Sequence, residues 1–370
     1  MPDERLTIIG KIRESNKKLV LFGTGIRSNV LTDMLAEYHV FVSGYCVDNE
    51  YYDENMYFRE KKVFSFDSII LNGSEYIVLI AFQNYKRAKD LMEKCNGQCE
   101  MYYIDDPYDF FKMDYNFVLK NVDNLDELYN RLGDDISKDV MVAFINTRIS
   151  GNPEEIYQLR SGENHQYDYN VLNIGEDEVM VDCGSFDGDT IADYLRYTNN
   201  RVKKIYACEP DDKNIGKINQ RFNEQAIRKL IQIVPMGVWS EETVLKFAKG
   251  KDSASSFNNS STVNRFIADE LQYNKVPVTT IDKIIGGDEA TFIKMDIEGS
   301  ELDALKGAEK TIRRCYPKLA ICVYHKERDL VDIPNYIMSL ENDTFYYKFY
   351  MRHHSVSLAE TVLYAIPVKK

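Results

Sequence analysis

Short apolar runs separated by amphipathic stretches recur along the chain. Lys18-Leu-Val-Leu-Phe22 is the first, and it ends at Gly23-Thr-Gly25. Within Ile26–Tyr38 the apolar positions Val30, Leu31, Met34 and Leu35 have helical spacing. Val40–Asp48 reads as a second strand ending in an acid, and Ile77–Phe82 as a third. A helix over Tyr85–Lys94 and a strand over Met101–Ile104 complete the pattern. Strands alternating with helices predict a small parallel sheet of Rossmann type over residues 1–110.

The stretch 111–169 is different. It is rich in aromatic, Asp and Asn residues, with helical spacing near Leu125–Leu132, a turn at Ser150-Gly-Asn-Pro153, and a polar, tyrosine-rich run over Ser161–Tyr169. It is expected to be a helical and irregular connector. From 170 to 370 the alternation resumes, with strands expected at 178–183, 204–208, 231–236, 291–296, 319–324, 344–350 and 361–366. Helices fit at 189–198, 212–222, 301–315 and 329–340. No helix fits between the last two strands, so they should form an antiparallel end on a parallel sheet. Seven strands with that final reversal are the plan of a class I methyltransferase, not of a dehydrogenase. The expected fold class is therefore α/β: that seven-stranded Rossmann-like sheet plus a smaller N-terminal Rossmann-like domain.

Composition narrows the partners. A chain of 370 residues favours two domains over one core. A net charge of −13 argues against nucleic acid, which needs a basic face. No stretch approaches the roughly 20 apolar residues that span a bilayer. No signal peptide is apparent behind Met1-Pro-Asp-Glu-Arg5. Seven scattered cysteines read as reduced thiols in a cytoplasmic protein. The oligomeric state is not legible.

The chemistry concentrates in two segments. In Val179-Met-Val-Asp-Cys-Gly-Ser-Phe-Asp-Gly-Asp-Thr190 a strand runs into a glycine turn. Gly184 and Gly188 would let backbone approach a ligand, Asp182 and Asp187 would bind it or orient the loop, and Thr190 would cap the next helix. Glu209 ends the next strand, where a carboxylate can hold both hydroxyls of a ribose. In Thr291–Ala308 a strand ends at Asp296, and Glu298 and Glu301 follow at a helix start. Asp296 and His325 both end strands on one edge of the sheet and are the candidate catalytic residues. An Asp/His pair can hold a divalent metal, but no complete ligand set can be read and no metal site is assigned. In the first half, Gly23 and Gly25 with Asp48 form a partial dinucleotide fingerprint, Ser28 standing where the third glycine belongs.

Several ordered motifs resemble one known family. Phe292-Ile-Lys-Met-Asp-Ile-Glu-Gly-Ser-Glu-Leu302 with Lys306-Gly-Ala308 looks like the signature of the FkbM methyltransferases. So do Val234–Ser240, Val278–Asp282, Val323-Tyr-His-Lys326 with Ile333–Ile337, Arg352-His-His-Ser355 and Glu360–Tyr364. The resemblance covers roughly residues 170–368 and implies O-methylation dependent on S-adenosylmethionine. It implies that Asp182, Gly184, Phe186, Asp187, Gly188 and Thr190 line the methionine and ribose end, and that Glu209 grips the ribose. Val238 and Trp239 would lie near the adenine, Ser253–Ser256 would form a loop over the cofactor, and Glu298, His353 and His354 would meet the acceptor. The first half resembles the N-terminal domains of bacterial sugar-modifying acetyltransferases, which bind nucleotide sugars. The implied acceptor is a sugar hydroxyl on a nucleotide-linked or glycan precursor. A non-sugar small molecule, a dinucleotide-dependent oxidoreductase, and a cofactor-sensing binding protein are the alternatives.

Overall fold

The computed structural model describes residues 3–106, 111–162, 167–249 and 272–370. The chain folds as two compact units. One comprises Met1–Tyr115, Val142–Arg160 and Ser355–Ala359; the other comprises Asn116–Met141, Ser161–His354 and Glu360–Lys370. The stretch 111–169 is thus divided between them. The Ser253–Ser256 loop lies outside the described residues, as does part of Ser161–Tyr169.

The first unit is built on a six-stranded sheet of order β3-β4-β2-β1-β5-β6. Its strands are β1 (Lys18–Phe22), β2 (Gly44–Val47), β3 (Tyr57–Phe58), β4 (Lys61–Ser65), β5 (Tyr76–Ile80) and β6 (Glu100–Tyr103). All pairings are parallel except β3 with β4. Leu19 and Leu21 point into one apolar cluster, Val20 and Phe22 into another. Because β1 is buried on both faces, it reads as a continuous apolar run. A helix not anticipated from the sequence, Glu4–Glu14, is capped by Asp3 and buries Ile8, Ile9 and Ile12.

The second unit holds a seven-stranded sheet with β7 (Val179–Cys183), β8 (Lys204–Cys208), β9 (Ile231–Val234), β13 (Phe292–Met295), β14 (Lys318–Cys322), β15 (Phe345–His353) and β16 (Thr361–Lys369). Its order is β15-β16-β14-β13-β7-β8-β9. The last strand enters antiparallel between β14 and β15, so the expected reversal at the end of the sheet is present. β7, β13 and β14 are buried along almost their whole length. In β15, Phe345, Tyr347, Phe349 and Met351 are buried at alternate positions, the period of a strand with one core face.

Two features were not anticipated. A separate three-stranded sheet, order β10-β12-β11, joins β10 (Gly237–Val238), β11 (Thr243–Lys249) and β12 (Gln272–Thr279). The helix expected over 301–315 is two helices, Glu301–Lys306 and Glu309–Cys315. The break falls at Gly307, where a Cβ would stand 2.1 Å from the Trp239 carbonyl oxygen. Among the described residues no helix is long and apolar enough to cross a membrane.

Candidate active site

The parallel order changes direction between β7 and β13: β8 and β9 lie to one side, β14 to the other. In open α/β sheets ligands bind outside the carboxyl ends of the strands at such a point. Gly184, Glu209, Asp296 and His325 all follow the carboxyl ends of strands around it.

The turn after β7 is held by a buried ion pair. Asp182 and Lys294 face each other in the register of β7 and β13. Lys294 Nζ lies 3.1 Å from Asp182 Oδ1, with the two side chains 6% and 0% exposed. The same ammonium donates to the Gly184 carbonyl at 3.0 Å. Burial would lower the Lys294 pKa, but Asp182 and Asp296 outweigh it and the net direction is upward. Asp182 also accepts from the Thr190 hydroxyl at 3.2 Å. Thr190 therefore does not cap its helix; the N-cap is Gly188, whose φ of +83° suits glycine.

Packing accounts for both glycines. A Cβ on Gly184, at φ +81°, would stand 2.0 Å from the Asp296 carbonyl oxygen, and one on Gly188 would meet the Phe222 ring at 2.7 Å. Gly184 is needed because the ends of β7 and β13 touch, and Gly188 because Phe222 packs against the turn. Gly184→Ala should therefore destabilise the protein by at least about 2 kcal/mol, from a left-handed backbone and an overpacked contact together. Urea unfolding measures this; an unchanged midpoint would show that the turn does not depend on that approach.

Asp187 orients the same turn. Its Oδ1 accepts from Asp189 N at 3.2 Å and its Oδ2 pairs with Arg221 at 2.8 Å. Phe186 has a left-handed φ of +46° and an exposed ring, with Lys217 Nζ 5.0 Å from its centroid. Its amide donates to Glu209 Oε2 at 2.9 Å, while Glu209 Oε1 accepts from Asp211 N at 2.9 Å. Glu209 is buried, and burial shifts its carboxyl upward against those donors. Val238 is buried in the small sheet, and Trp239 donates its amide to Thr279 at 2.8 Å.

Across the switch point lies an acidic cluster around one histidine. His325 Nδ1 is 3.0 Å from Glu301 Oε1, and its Nε2 is 3.5 Å from Asp296 Oδ1 and 3.6 Å from Glu298 Oε2. Tyr324 donates its hydroxyl to Asp296 Oδ1 at 3.1 Å. Burial alone would lower the His325 pKa, but Glu301, Asp296 and Glu298 raise it to about 10. Glu298 stands in a left-handed conformation at φ +56°, the kind of strained backbone found at functional sites.

His353 and His354 are tied to hydroxyls at the end of the sheet. His353 Nδ1 lies 2.9 Å from Thr361 Oγ1, and His354 bridges Ser161 Oγ at 3.0 Å and Tyr364 OH at 2.8 Å. In the first unit, Gly23 has φ +119°, Gly25 is the N-cap of the helix Ile26–Glu37, and Asp48 is paired with Arg87. Lys294, Glu301 and Tyr324 were given no site role by the sequence. A lysine inside the apolar strand Phe-Ile-Lys-Met was the available signal for the first.

The comparisons agree with this architecture. A crystal structure of Methyltransferase FkbM from Methylobacillus flagellatus KT is similar with a TM-score of 0.76 and 24% identity, covering 98% of this chain and 94% of that one. At that identity the likeness concerns the fold. A putative rRNA-methylase from Clostridium thermocellum (TM-score 0.32, 8% identity, 54% of this chain and 92% of that one) is too distant to carry an argument. No curated protein matches. Residues 182–349 match the Methyltransferase FkbM domain, and that stretch contains the glycine turn, Glu209, Asp296 and His325.

Proposed function

We propose that the chain is an S-adenosylmethionine-dependent O-methyltransferase acting on a sugar hydroxyl of a nucleotide-linked or glycan precursor. The observation that carries the reading is Glu209, a buried carboxylate at the tip of the second strand beside the switch point. The residues fit a nucleoside cofactor. Each Glu209 oxygen is anchored by a backbone amide; Oε2 keeps a further lone pair for a ribose hydroxyl, and on Oε1 the Asn214 side-chain amide at 3.4 Å holds the place a second hydroxyl would take. The exposed Phe186 ring offers an apolar surface next to it. Bound S-adenosylmethionine would supply an electrophilic methyl group there.

Asp296 is our choice for the proton acceptor. Its side chain is 18% exposed where that of His325 is 8%, and the Tyr324 hydroxyl orients it. The acceptor oxygen forms the new C–O bond as the C–S bond breaks, the sulfur keeps that electron pair, and the hydroxyl proton passes to Asp296. His325 would position Asp296. The sugar acceptor rests on the FkbM resemblance.

Mass spectrometry of the intact protein with S-adenosylmethionine and a panel of nucleotide sugars tests the proposal. The expected product carries one methyl group in place of a hydroxyl hydrogen. Asp296→Asn should lower kcat by about 10²–10⁴-fold while leaving S-adenosylhomocysteine binding intact. Transfer only to non-sugar hydroxyls would replace the acceptor assignment, and an unchanged kcat in Asp296→Asn would refute the choice of base.

A further inference from the structure

The cluster around His325 gathers more carboxylates than one imidazole can pair with. Glu301 is fully buried, and its Oε1 is anchored by the amides of Ile297 at 2.9 Å and Gly299 at 3.4 Å. Among the described residues its Oε2 has no hydrogen-bond partner, and neither ring nitrogen of His325 has one. The 3.0 Å approach of Nδ1 to Glu301 therefore lacks hydrogen-bond geometry, and the 3.5 and 3.6 Å separations at Nε2 are too long for directed hydrogen bonds. Buried polar atoms are nearly always satisfied, and leaving a charged one unmatched is costly. Asp329, four residues beyond His325, is buried as well. Several acids thus share one imidazole.

One donor atom each from Asp296, Glu301 and His325 can be chosen so that all lie within 4.8 Å of one another. Two ligands bonded to one metal at about 2.1 Å stand at most about 4.2 Å apart. Three ligands cannot all stand trans to one another and instead lie about 3.0–3.6 Å apart, so the set closes on a cation with side-chain shifts of up to about an ångström. It also has an open side, because Asp296 is 18% and Glu298 39% exposed.

We propose that Asp296, Glu301 and His325 form a site for a divalent first-row cation, with Glu298 at its mouth. One imidazole nitrogen with carboxylate oxygens is a donor set that suits Mn²⁺ or Zn²⁺ better than Ca²⁺. In the methyl-transfer reading the site adds a Lewis acid on one oxygen of Asp296 and leaves the other to take the hydroxyl proton, but the assignment stands on the donor set and its test needs no turnover.

The test is titration of the intact protein with Mn²⁺, followed by the loss of the free-ion electron paramagnetic resonance signal. The expected result is one bound Mn²⁺ per chain. His325→Ala should weaken binding at least about 100-fold. Glu301→Gln, which keeps the shape and the Oε1 acceptor, should weaken it at least about tenfold. Asp303→Asn, on the same helix but paired with Lys306, should leave it unchanged. Circular dichroism of each variant separates lost ligands from lost fold. Equal Mn²⁺ binding by the parent and a folded Glu301→Gln, or none by the parent, overturns the site. Calorimetry with S-adenosylhomocysteine on the same samples keeps the two proposals apart. Nucleoside binding without Mn²⁺ binding sinks the cation site alone, and Mn²⁺ binding without nucleoside binding sinks the methyl-transfer reading alone.

Discussion

Lys294→Met is expected to destabilise the second unit by about 3–5 kcal/mol, the largest stability loss foreseen for a single substitution here. The ammonium is buried between β13 and the turn after β7, 3.1 Å from Asp182 Oδ1 and 3.0 Å from the Gly184 carbonyl. Removing it leaves the Asp182 carboxylate, fully buried, with the Thr190 hydroxyl at 3.2 Å as its one side-chain donor among the described residues. The cost is mostly that of the stranded charge, so it should shrink when both partners go. Lys294→Met with Asp182→Asn should lose less than the sum of the single losses, by 1 kcal/mol or more on the order of magnitude seen for coupled neighbours. Denaturant unfolding of the four proteins in this cycle measures it. Strict additivity would mean that the pair does not hold the turn.

Glu209→Ala is expected to weaken S-adenosylhomocysteine binding at least about 100-fold. Two hydrogen bonds from ribose hydroxyls to one ionised carboxylate are worth about 1.5–3 kcal/mol each, and every 1.4 kcal/mol is tenfold in affinity. Glu209 also anchors the amides of Phe186 and Asp211, so some of the loss comes from a looser loop. Glu209→Gln separates the two contributions. It keeps one acceptor oxygen and the packing, and should fall between the parent and the alanine variant. Unchanged affinity in Glu209→Ala, measured by calorimetry on folded protein, would remove Glu209 from the nucleoside site.

Much of this was legible in the sequence because the central strands are buried on both faces. Val179–Cys183 has no exposed position, so it reads as an apolar run interrupted by Asp182 alone. The antiparallel finish was legible from spacing alone, since no helix fits between β15 and β16. The small sheet was not, because β10 has only two residues and β12 contains Pro277 and polar positions. The β3–β4 hairpin was hidden for a different reason. Its turn places Arg59 and Glu60 at φ +47° and +62°, conformations that usually announce themselves with Asn or Gly.

The site was legible in its positions more than in its contacts. Strand-end acids stand out by spacing, whereas the partner of each does not. Asp182 reads as a ligand-facing acid until Lys294 is found opposite it. Thr190 reads as a helix cap until its hydroxyl is found on Asp182. Glu301 reads as a helix-start acid, and its anchoring of Ile297 and Gly299 agrees, yet its Oε1 also lies 3.0 Å from His325 Nδ1 and its Oε2 is buried with no donor among the described residues. Such pairings depend on which strands become neighbours, which local pattern does not encode.

The methyl-transfer reading rests on the nucleoside site proposed after β7 and β8, and calorimetry of the unmodified protein with S-adenosylhomocysteine tests it most directly. Saturable binding at one site per chain, unaffected by NADH, is the predicted result. No binding of S-adenosylhomocysteine, with NADH bound in its place, would contradict it.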